Sequence, residues 1–229
     1  KGEKSEALST RADLPTYMEY DYRRDTIFAA SEAGVSGYHR RKKIWIEIPN
    51  STGDAVPSAT LSYMNRRLYY IVGSELRGFD PRERRTDAFA GLSPIEPYAS
   101  FRLSEILVSA DGKRLYWTGV SKEGEPKAVL GLYSFDEKKN ARQVDLGFAD
   151  VRAIGFYQGF VLVLGHEPGQ IAARSTADLS EGKVRFPKEW NFQVQDMKVD
   201  APDIEVLEDK SEGACIKRGR IAIDGERPR

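Results

Sequence analysis

The chain has 229 residues, of which 40% are hydrophobic and 10% aromatic, and its 35 Lys and Arg residues balance 35 Asp and Glu residues to zero formal charge. This balance argues against a protein that binds the phosphate backbone of nucleic acid over a broad surface. No apolar run approaches the roughly 18 residues of a membrane span, and one cysteine, Cys215, cannot form an intrachain disulfide.

The N-terminal segment differs from the rest of the chain. Residues 1–16 are polar, carry charges of both signs and lack apolar periodicity, which predicts a tail that precedes a single domain over residues 17–229. Because the chain begins with Lys1 rather than Met, we expect a processed protein in an extracytoplasmic location, either periplasmic or secreted. A fragment of a longer protein is the alternative.

From residue 17 onward, no stretch sustains the three- and four-residue apolar spacing of an amphipathic helix. Apolar runs recur instead at intervals of 41, 47, 45 and 44 residues, beginning at Ile27, Leu68, Leu115, Phe160 and Ile204. Four strands of about five residues with their turns take about 40 to 50 positions, which is the length of one propeller blade. The pattern therefore predicts an all-β fold, a β-propeller of five four-stranded blades. A β-sandwich is the alternative, but it gives no reason for such a repeat.

In the first repeat, a long loop is predicted over residues 32–43, before a third strand at residues 44–48. It contains a histidine and four cations in one run, Tyr38, His39, Arg40, Arg41, Lys42 and Lys43. Guanidinium groups pair bidentately with carboxylates and phosphates, so the run is a candidate for holding an acidic partner or a phosphate. A solvated stretch that protects a β-prone strand from aggregation is the alternative interpretation.

The second repeat predicts strands at residues 59–63, 68–72, 76–80 and 86–90, and the third at residues 106–109, 115–118, 130–135 and 142–146. In the third repeat, Asp111 and Gly112 lie between two apolar runs and predict a hairpin turn. A second basic run, residues 82–85, is expected on the face opposite the first basic loop. The two runs would then not form one groove.

The segment from residue 106 to residue 136 resembles one repeat of the TolB-like and gluconolactonase-like propellers. The matching positions are Ser109, Asp111, Gly112, Lys113, Leu115, Tyr116, Leu132 and Tyr133. The resemblance covers about one seventh of the chain and implies the propeller fold. Gluconolactonase-like members bind an axial divalent metal through a glutamate, asparagines and an aspartate, and this set has no match here, so no metal or other cofactor is expected.

Propellers serve as enzymes and as binding platforms, so the fold alone does not decide the function. A hydrolase acting on glycans or a lactone would need paired carboxylates near the axis, and the candidates are Glu19, Asp21, Glu105, Asp150 and Asp196. No Gly-x-Ser-x-Gly turn is present to expose a nucleophile, and no spacing of Cys and His suggests a zinc cluster. We assign no catalytic residue.

The function predicted first is therefore non-enzymatic recognition of a protein partner through irregular loops on a rigid frame, with a single glycan site left open. The expected contacts are Tyr38, His39, Arg40, Arg41, His166, Glu167 and Trp190. Replacing Arg40 and Arg41 together by Ala is expected to weaken partner capture several-fold and to flatten its salt dependence.

Overall fold

A computed structural model describes residues 17–31, 34–49, 58–72, 75–89, 92, 101–121, 124–167, 169–185, 194–200, 203–210 and 213–224. Of Phe101 and of residues 194–200, 203–210 and 213–217 it describes the backbone only. The predicted tail, Trp190 and most of the loops predicted between blades lie outside these ranges. No helix in the described part of the chain is long and apolar enough to cross a membrane.

The described residues contain twenty β-strands and no helix. The strands are β1 (Tyr17–Asp21), β2 (Thr26–Ser31), β3 (Gly34–His39), β4 (Ile44–Glu47), β5 (Ala59–Ser62), β6 (Arg67–Val72), β7 (Glu75–Asp80), β8 (Arg85–Ala88), β9 (Phe101–Val108), β10 (Arg114–Ser121), β11 (Ala128–Ser134), β12 (Lys139–Asp145), β13 (Val151–Tyr157), β14 (Phe160–Gly165), β15 (Ile171–Ser175), β16 (Glu181–Arg185), β17 (Val194–Asp200), β18 (Asp203–Lys210), β19 (Gly213–Gly219) and β20 (Ala222–Asp224).

The fold is an all-β propeller, as predicted, and its repeated element is a small antiparallel sheet in sequential strand order. Blades 1 to 4 are β1–β4, β5–β8, β9–β12 and β13–β16. The prediction of five four-stranded blades is wrong, because the fifth repeat forms the three-stranded sheet β17–β19, and β20 pairs with β16 of blade 4. β20 has three residues, too few to show a periodic pattern in the sequence.

The apolar runs that set the repeat are the second strands of the sheets, namely β2, β6, β10, β14 and β18. In blades 2, 3 and 4 these second strands are buried along almost their whole length, and the fourth strands are largely exposed. A strand buried on both faces reads as a continuous apolar run, whereas a half-exposed strand alternates. The second strands are therefore the ones most visible in the sequence.

Blade 1 differs from its prediction, because residues expected in a loop form β3 and residues 44–47 form the fourth strand rather than the third. Two glycines weaken the strand signal of β3. A Cβ added at Gly37 would lie 3.2 Å from the Phe28 ring, which packs in the core of this part of the chain. Glycine in a strand often marks such a close approach, and its low strand propensity explains the wrong prediction.

The chain divides into two compact units, Lys1–Phe89 and Ala90–Arg229. In the first unit β1 contacts β5, and in the second unit β13 contacts both β9 and β17. First strands of successive sheets are thus neighbours within each unit. The core of the first unit packs residues of blades 1 and 2 together, including Phe28, Tyr70 and Phe79. The core of the second unit packs Tyr116 of blade 3 against Val161 and Val163 of blade 4.

Candidate functional site

The site is built on four hairpin turns of the first unit. These turns join β1 to β2, β3 to β4, β5 to β6 and β7 to β8, and each has four residues: 22–25, 40–43, 63–66 and 81–84. Residues of all four line one cavity of about 470 Å³. We call this end of the first unit the turn end.

The local sequence explains the shape of these turns. In three of them the residue that precedes the turn accepts a backbone N–H with its side chain: Asp21 from Arg23 (3.0 Å), Ser62 from Asn65 (3.2 Å) and Asp80 from Arg82 (2.8 Å). Short polar side chains favour turns by this kind of bond. In the remaining turn the Asp25 carboxylate accepts the N–H of Arg41 at 3.1 Å.

Each turn ends on a residue in the left-handed backbone region. The φ angles there are 51° at Asp25, 53° at Lys43, 57° at Arg66 and 52° at Arg84. Lys138 ends the equivalent turn of blade 3 with φ 54°, so the conformation belongs to the turn type and not to the cavity. Glycine adopts this conformation most easily, so the backbone at these positions is compatible with a substitution by Gly.

Cations line the cavity. Six of its thirteen lining residues are Lys or Arg, namely Arg23, Arg24, Lys42, Arg66, Arg82 and Arg84. The other seven are Thr26, His39, Ile46, Leu61, Ser62, Tyr63 and Pro81. Within these described walls there is no Asp or Glu. Leu61 belongs to the core cluster of the unit and Ile46 packs against that cluster, so the cavity lies at one end of the core.

One of the six cations is neutralised locally. The Nη1 atom of Arg24 lies 2.5 Å from Oδ2 of Asp21, whose side chain is fully buried. Among the described residues, no ion pair forms at the five other side chains, which are Arg23, Lys42, Arg66, Arg82 and Arg84. The cavity wall therefore contains five cationic side chains that form no ion pair with any described residue, and like charges gathered in this way repel one another.

Aromatic and thioether groups border the basic walls. Tyr22 and Tyr63 stack with ring centroids 5.3 Å apart, and the Arg23 guanidinium carbon lies 5.7 Å from each centroid. Tyr22 is 62% exposed and Met64, in the same turn as Tyr63, is 65% exposed. Tyr, Met and Arg are the residue types enriched where proteins bind one another.

The residues predicted on blade 1 fall at or beside this cavity. His39 lines it, and its buried Nδ1 has no hydrogen-bond partner among the described residues. Tyr38 packs on Trp45, with ring centroids 5.2 Å apart. Arg40 and Arg41 flank the cavity without lining it, and both face the Asp25 carboxylate, at 3.9 Å and 3.4 Å.

Asp25 is the acid that organises this flank. Tyr20 donates its hydroxyl to Asp25 at 2.7 Å, and this bond, together with the Arg41 N–H and the two guanidinium groups, lowers the pKa of the Asp25 carboxyl. The same hydrogen bond raises the pKa of the Tyr20 phenol. Arg40 also lies over the Tyr20 ring at 5.3 Å. Asp25 thus partly neutralises the charges of the exposed Arg40 and Arg41 side chains.

The other predicted contacts lie in the second unit or outside the described residues. His166 Nε2 lies 3.9 Å from the Asp150 carboxylate, which also accepts Arg102 at 3.1 Å. Glu167 bonds Gln170 through its backbone N–H. Trp190 is not among the described residues. Neither His166 nor Glu167 lines the basic cavity.

The acids considered for hydrolysis are mostly engaged by the protein. Glu19 accepts the Tyr17 hydroxyl and the Leu61 N–H, and burial and the nearby Glu19 charge raise the pKa of Tyr17. Asp21 and Asp150 hold Arg24 and Arg102. Glu105 lies on β9, and the Asp196 side chain is not among those described. In the described part of the chain, no group of three or more His, Cys, Asp or Glu is placed to hold a metal ion.

The sequence prediction does not include Arg23 and Arg66, and it places the run at residues 40–43, not that at residues 82–85, at the wrong strand ends. The cause is β3: with residues 34–39 read as a loop, the turn at 40–43 was assigned to the opposite strand ends. The structure brings Lys42, Arg82 and Arg84 to one cavity, so the prediction that the two basic runs form no common groove is wrong. The signal available in the sequence is an Arg or Lys in each of the segments 22–25, 40–43, 63–66 and 81–84.

No protein-family model matches the chain, and no curated protein matches its sequence. The resemblance of residues 106–136 to TolB-like and gluconolactonase-like repeats stays a prediction. The geometry of the cavity is therefore the basis for a functional assignment.

Proposed function

We propose that the protein is a non-enzymatic recognition module that binds an acidic segment of a protein partner at the turn end of its first unit. The observation that carries the proposal is the cavity wall, which gathers five cationic side chains that form no ion pair with any described residue. The exposed Tyr22 and Met64 beside it supply apolar contact area for the same segment.

The distribution of charge supports this assignment. The four turns contain nine Lys and Arg residues, against two acids within them and two more, Asp21 and Asp80, directly before them. The whole chain has zero net charge, so the positive surplus of the turn end is a local feature. Local surplus of one sign steers an oppositely charged partner and sets its register.

The first experiment measures binding of a fluorescent octaglutamate peptide by anisotropy at several salt concentrations. The variant Arg66→Gln with Arg84→Gln removes two cations of the wall. We expect about 1 kcal/mol per contact, because these side chains are partly solvated, and thus about a 30-fold weaker complex with a smaller salt slope. Octaglutamate that fails to bind the unaltered protein at low salt would contradict the proposal.

The charge-matched control is Lys138→Gln with Arg152→Gln. Both residues are exposed, lie in the second unit and are not part of the cavity wall. We expect the control to bind within about twofold of the unaltered protein, since exposed charges away from a site have small effects. Equal losses in the two double variants would show that net charge rather than the cavity determines binding.

A second comparison separates the cavity from its flank. Asp25 already neutralises part of the Arg40 and Arg41 charge. Replacing these two by Ala is therefore expected to weaken octaglutamate binding several-fold, less than the loss from Arg66→Gln with Arg84→Gln. The reverse order would place the binding surface on the flank.

A further inference from the structure

The size of the cavity limits how many acidic side chains enter it. A volume of about 470 Å³ corresponds to a cube of roughly 8 Å edge. On an extended segment, side chains on the same side are spaced by about 7 Å, because each residue advances about 3.4 Å. The cavity therefore has room for one such side chain, and the next side chain on the same side of the segment lies about 7 Å away.

A single carboxylate is a poor match for that space. It carries one negative charge and two oxygens in a plane, whereas the wall has five cations that form no ion pair among the described residues. A phosphomonoester carries about −1.5 to −2 at pH 7 and three strong acceptor oxygens arranged around phosphorus. Of the groups that a protein side chain can carry, this one supplies the most charge in the volume of one residue.

The origin of the cations in four separate turns favours the same group. The cations come from four separate turns: Arg23 from the first, Lys42 from the second, Arg66 from the third, and Arg82 and Arg84 from the fourth. A tetrahedral group accepts donors from several sides at once, whereas a planar carboxylate is best satisfied by one fork in its plane. Four of the five are arginines, whose forks suit phosphate oxygens.

Three backbone N–H groups of the turns are committed within the protein and do not compete for the anion. The N–H groups of Arg23, Asn65 and Arg82 donate to Asp21, Ser62 and Asp80. The donors that we assign to the anion are therefore the side chains of the wall. His39, whose buried Nδ1 has no hydrogen-bond partner among the described residues, lies beside them.

From these observations we infer that the cavity binds a phosphorylated side chain of the partner, a phosphoserine or phosphothreonine. The inference rests on the proposed function and names the group that enters the cavity. Recognition of phosphorylated or acidic motifs by arginine clusters is an established mode of peptide binding. Phosphorylation of the partner would then control the complex.

The test uses the full chain and three pentapeptides of the form acetyl-Ala-Ala-X-Ala-Ala-amide, in which X is phosphoserine, Glu or Ser. Titration calorimetry at pH 7.5 and constant ionic strength gives the dissociation constants. We expect the phosphoserine peptide to bind at least tenfold more tightly than the Glu peptide, and the Ser peptide not to bind. In Arg66→Gln with Arg84→Gln the tenfold preference should fall below about threefold, and in Lys138→Gln with Arg152→Gln it should persist.

The pH dependence gives a second readout. The phosphoryl group gains its second charge near pH 6, so binding of the phosphoserine peptide should strengthen between pH 5 and pH 7.5 more than binding of the Glu peptide. Two further probes separate other sources of phosphate. Glycerol 3-phosphate or a 15-nucleotide oligothymidine that binds more tightly than the phosphoserine peptide would overturn the assignment to a partner side chain.

The remaining outcomes distinguish this inference from the proposed function. Equal affinity for the phosphoserine and Glu peptides overturns the inference and leaves the acidic partner standing. Binding of octaglutamate without measurable binding of the phosphoserine peptide overturns it in the same way. Failure of the phosphoserine peptide and octaglutamate alike overturns both.

Discussion

The Asp21 carboxylate is the acid that most directly opposes the positive charge of the cavity, and its replacement by Asn has two opposite expected effects. Asp21 is fully buried, holds Arg24 at 2.5 Å and accepts the N–H of Arg23 at 3.0 Å. Asn retains an oxygen for the Arg23 N–H but loses the ion pair. A hydrogen bond to a charged group contributes about 1.5–3 kcal/mol, and removing one member of a buried pair costs more.

Partial exposure of Arg24 reduces the expected cost. Its side chain is 20% exposed, so water hydrates part of the freed guanidinium. We therefore expect Asp21→Asn to lower the free energy of unfolding by about 2 kcal/mol, and Asp21→Ala by about 3 kcal/mol because the turn also loses its acceptor. Urea titrations measure both values.

The effect on anion binding has the other sign. For a dianion placed about 7 Å from the Asp21 carboxylate in a water-like dielectric, removal of the Asp21 charge favours binding by about 1.2 kcal/mol, or about sevenfold. Asp21→Asn should thus bind the phosphoserine peptide more tightly while folding less stably. The control is Asp136→Asn, which changes the same charge at an exposed position of the second unit and should alter stability by less than about 0.5 kcal/mol. Unchanged stability together with weaker peptide binding would refute the role given to Asp21.

Two predictions test the packing and the acid stability of the sheets. A Cβ added at Gly131 would lie 2.0 Å from buried Trp117, whereas one at Gly37 would lie 3.2 Å from Phe28. We therefore expect Gly131→Ala to lower the free energy of unfolding in urea by about 3 kcal/mol, and Gly37→Ala to lower it clearly less. Equal decreases would contradict this packing. Arg67 donates to Asp87 at 2.6 Å and lowers the pKa of its carboxyl below the ordinary 3.8. The resulting stabilisation is present above the ordinary pKa of 3.8 and is lost as the pH falls through the lower pKa of the folded state, so the midpoint of urea unfolding should decrease below about pH 4. Asp87→Asn should lessen this decrease. Parallel plots of midpoint against pH for the two proteins would contradict the role of Asp87.

The parts of the fold that the sequence predicts are those with one dominant physical cause. The second strands are buried on both faces, so their apolar runs are continuous, and the spacing of these runs is sufficient to reveal the repeat. The Asp111-Gly112 turn is equally visible, and Gly112 has the positive φ of 70° that its hairpin needs. Strands β5–β12 overlap the segments predicted in the second and third repeats, although β9 begins five residues before its predicted start.

The parts that the sequence does not predict depend on contacts distant along the chain. β3 is hidden because Gly37 is selected for the close approach of Phe28 and not for strand propensity. β20 joins blade 4 through three residue pairs with β16, and no local pattern distinguishes that partner from β19. Predicting the cavity from the sequence requires these distant contacts as well as the local patterns, because the turn at 40–43 reaches the cavity only if β3 is a strand.

The basic cavity shows why net charge was a poor guide to the partner. The formal charge of the whole chain is zero because acids in other segments offset the positive charge of the turn end. The turn type itself does not create the site, because Lys138 occupies the same left-handed position in blade 3 without lining the cavity. What distinguishes the first unit is that four such turns meet at one cavity and that each contributes at least one cation to its wall. Under the proposed function, selectivity for an anion comes from the convergence of the turns, and we expect changes to single turns to weaken it gradually rather than abolish it.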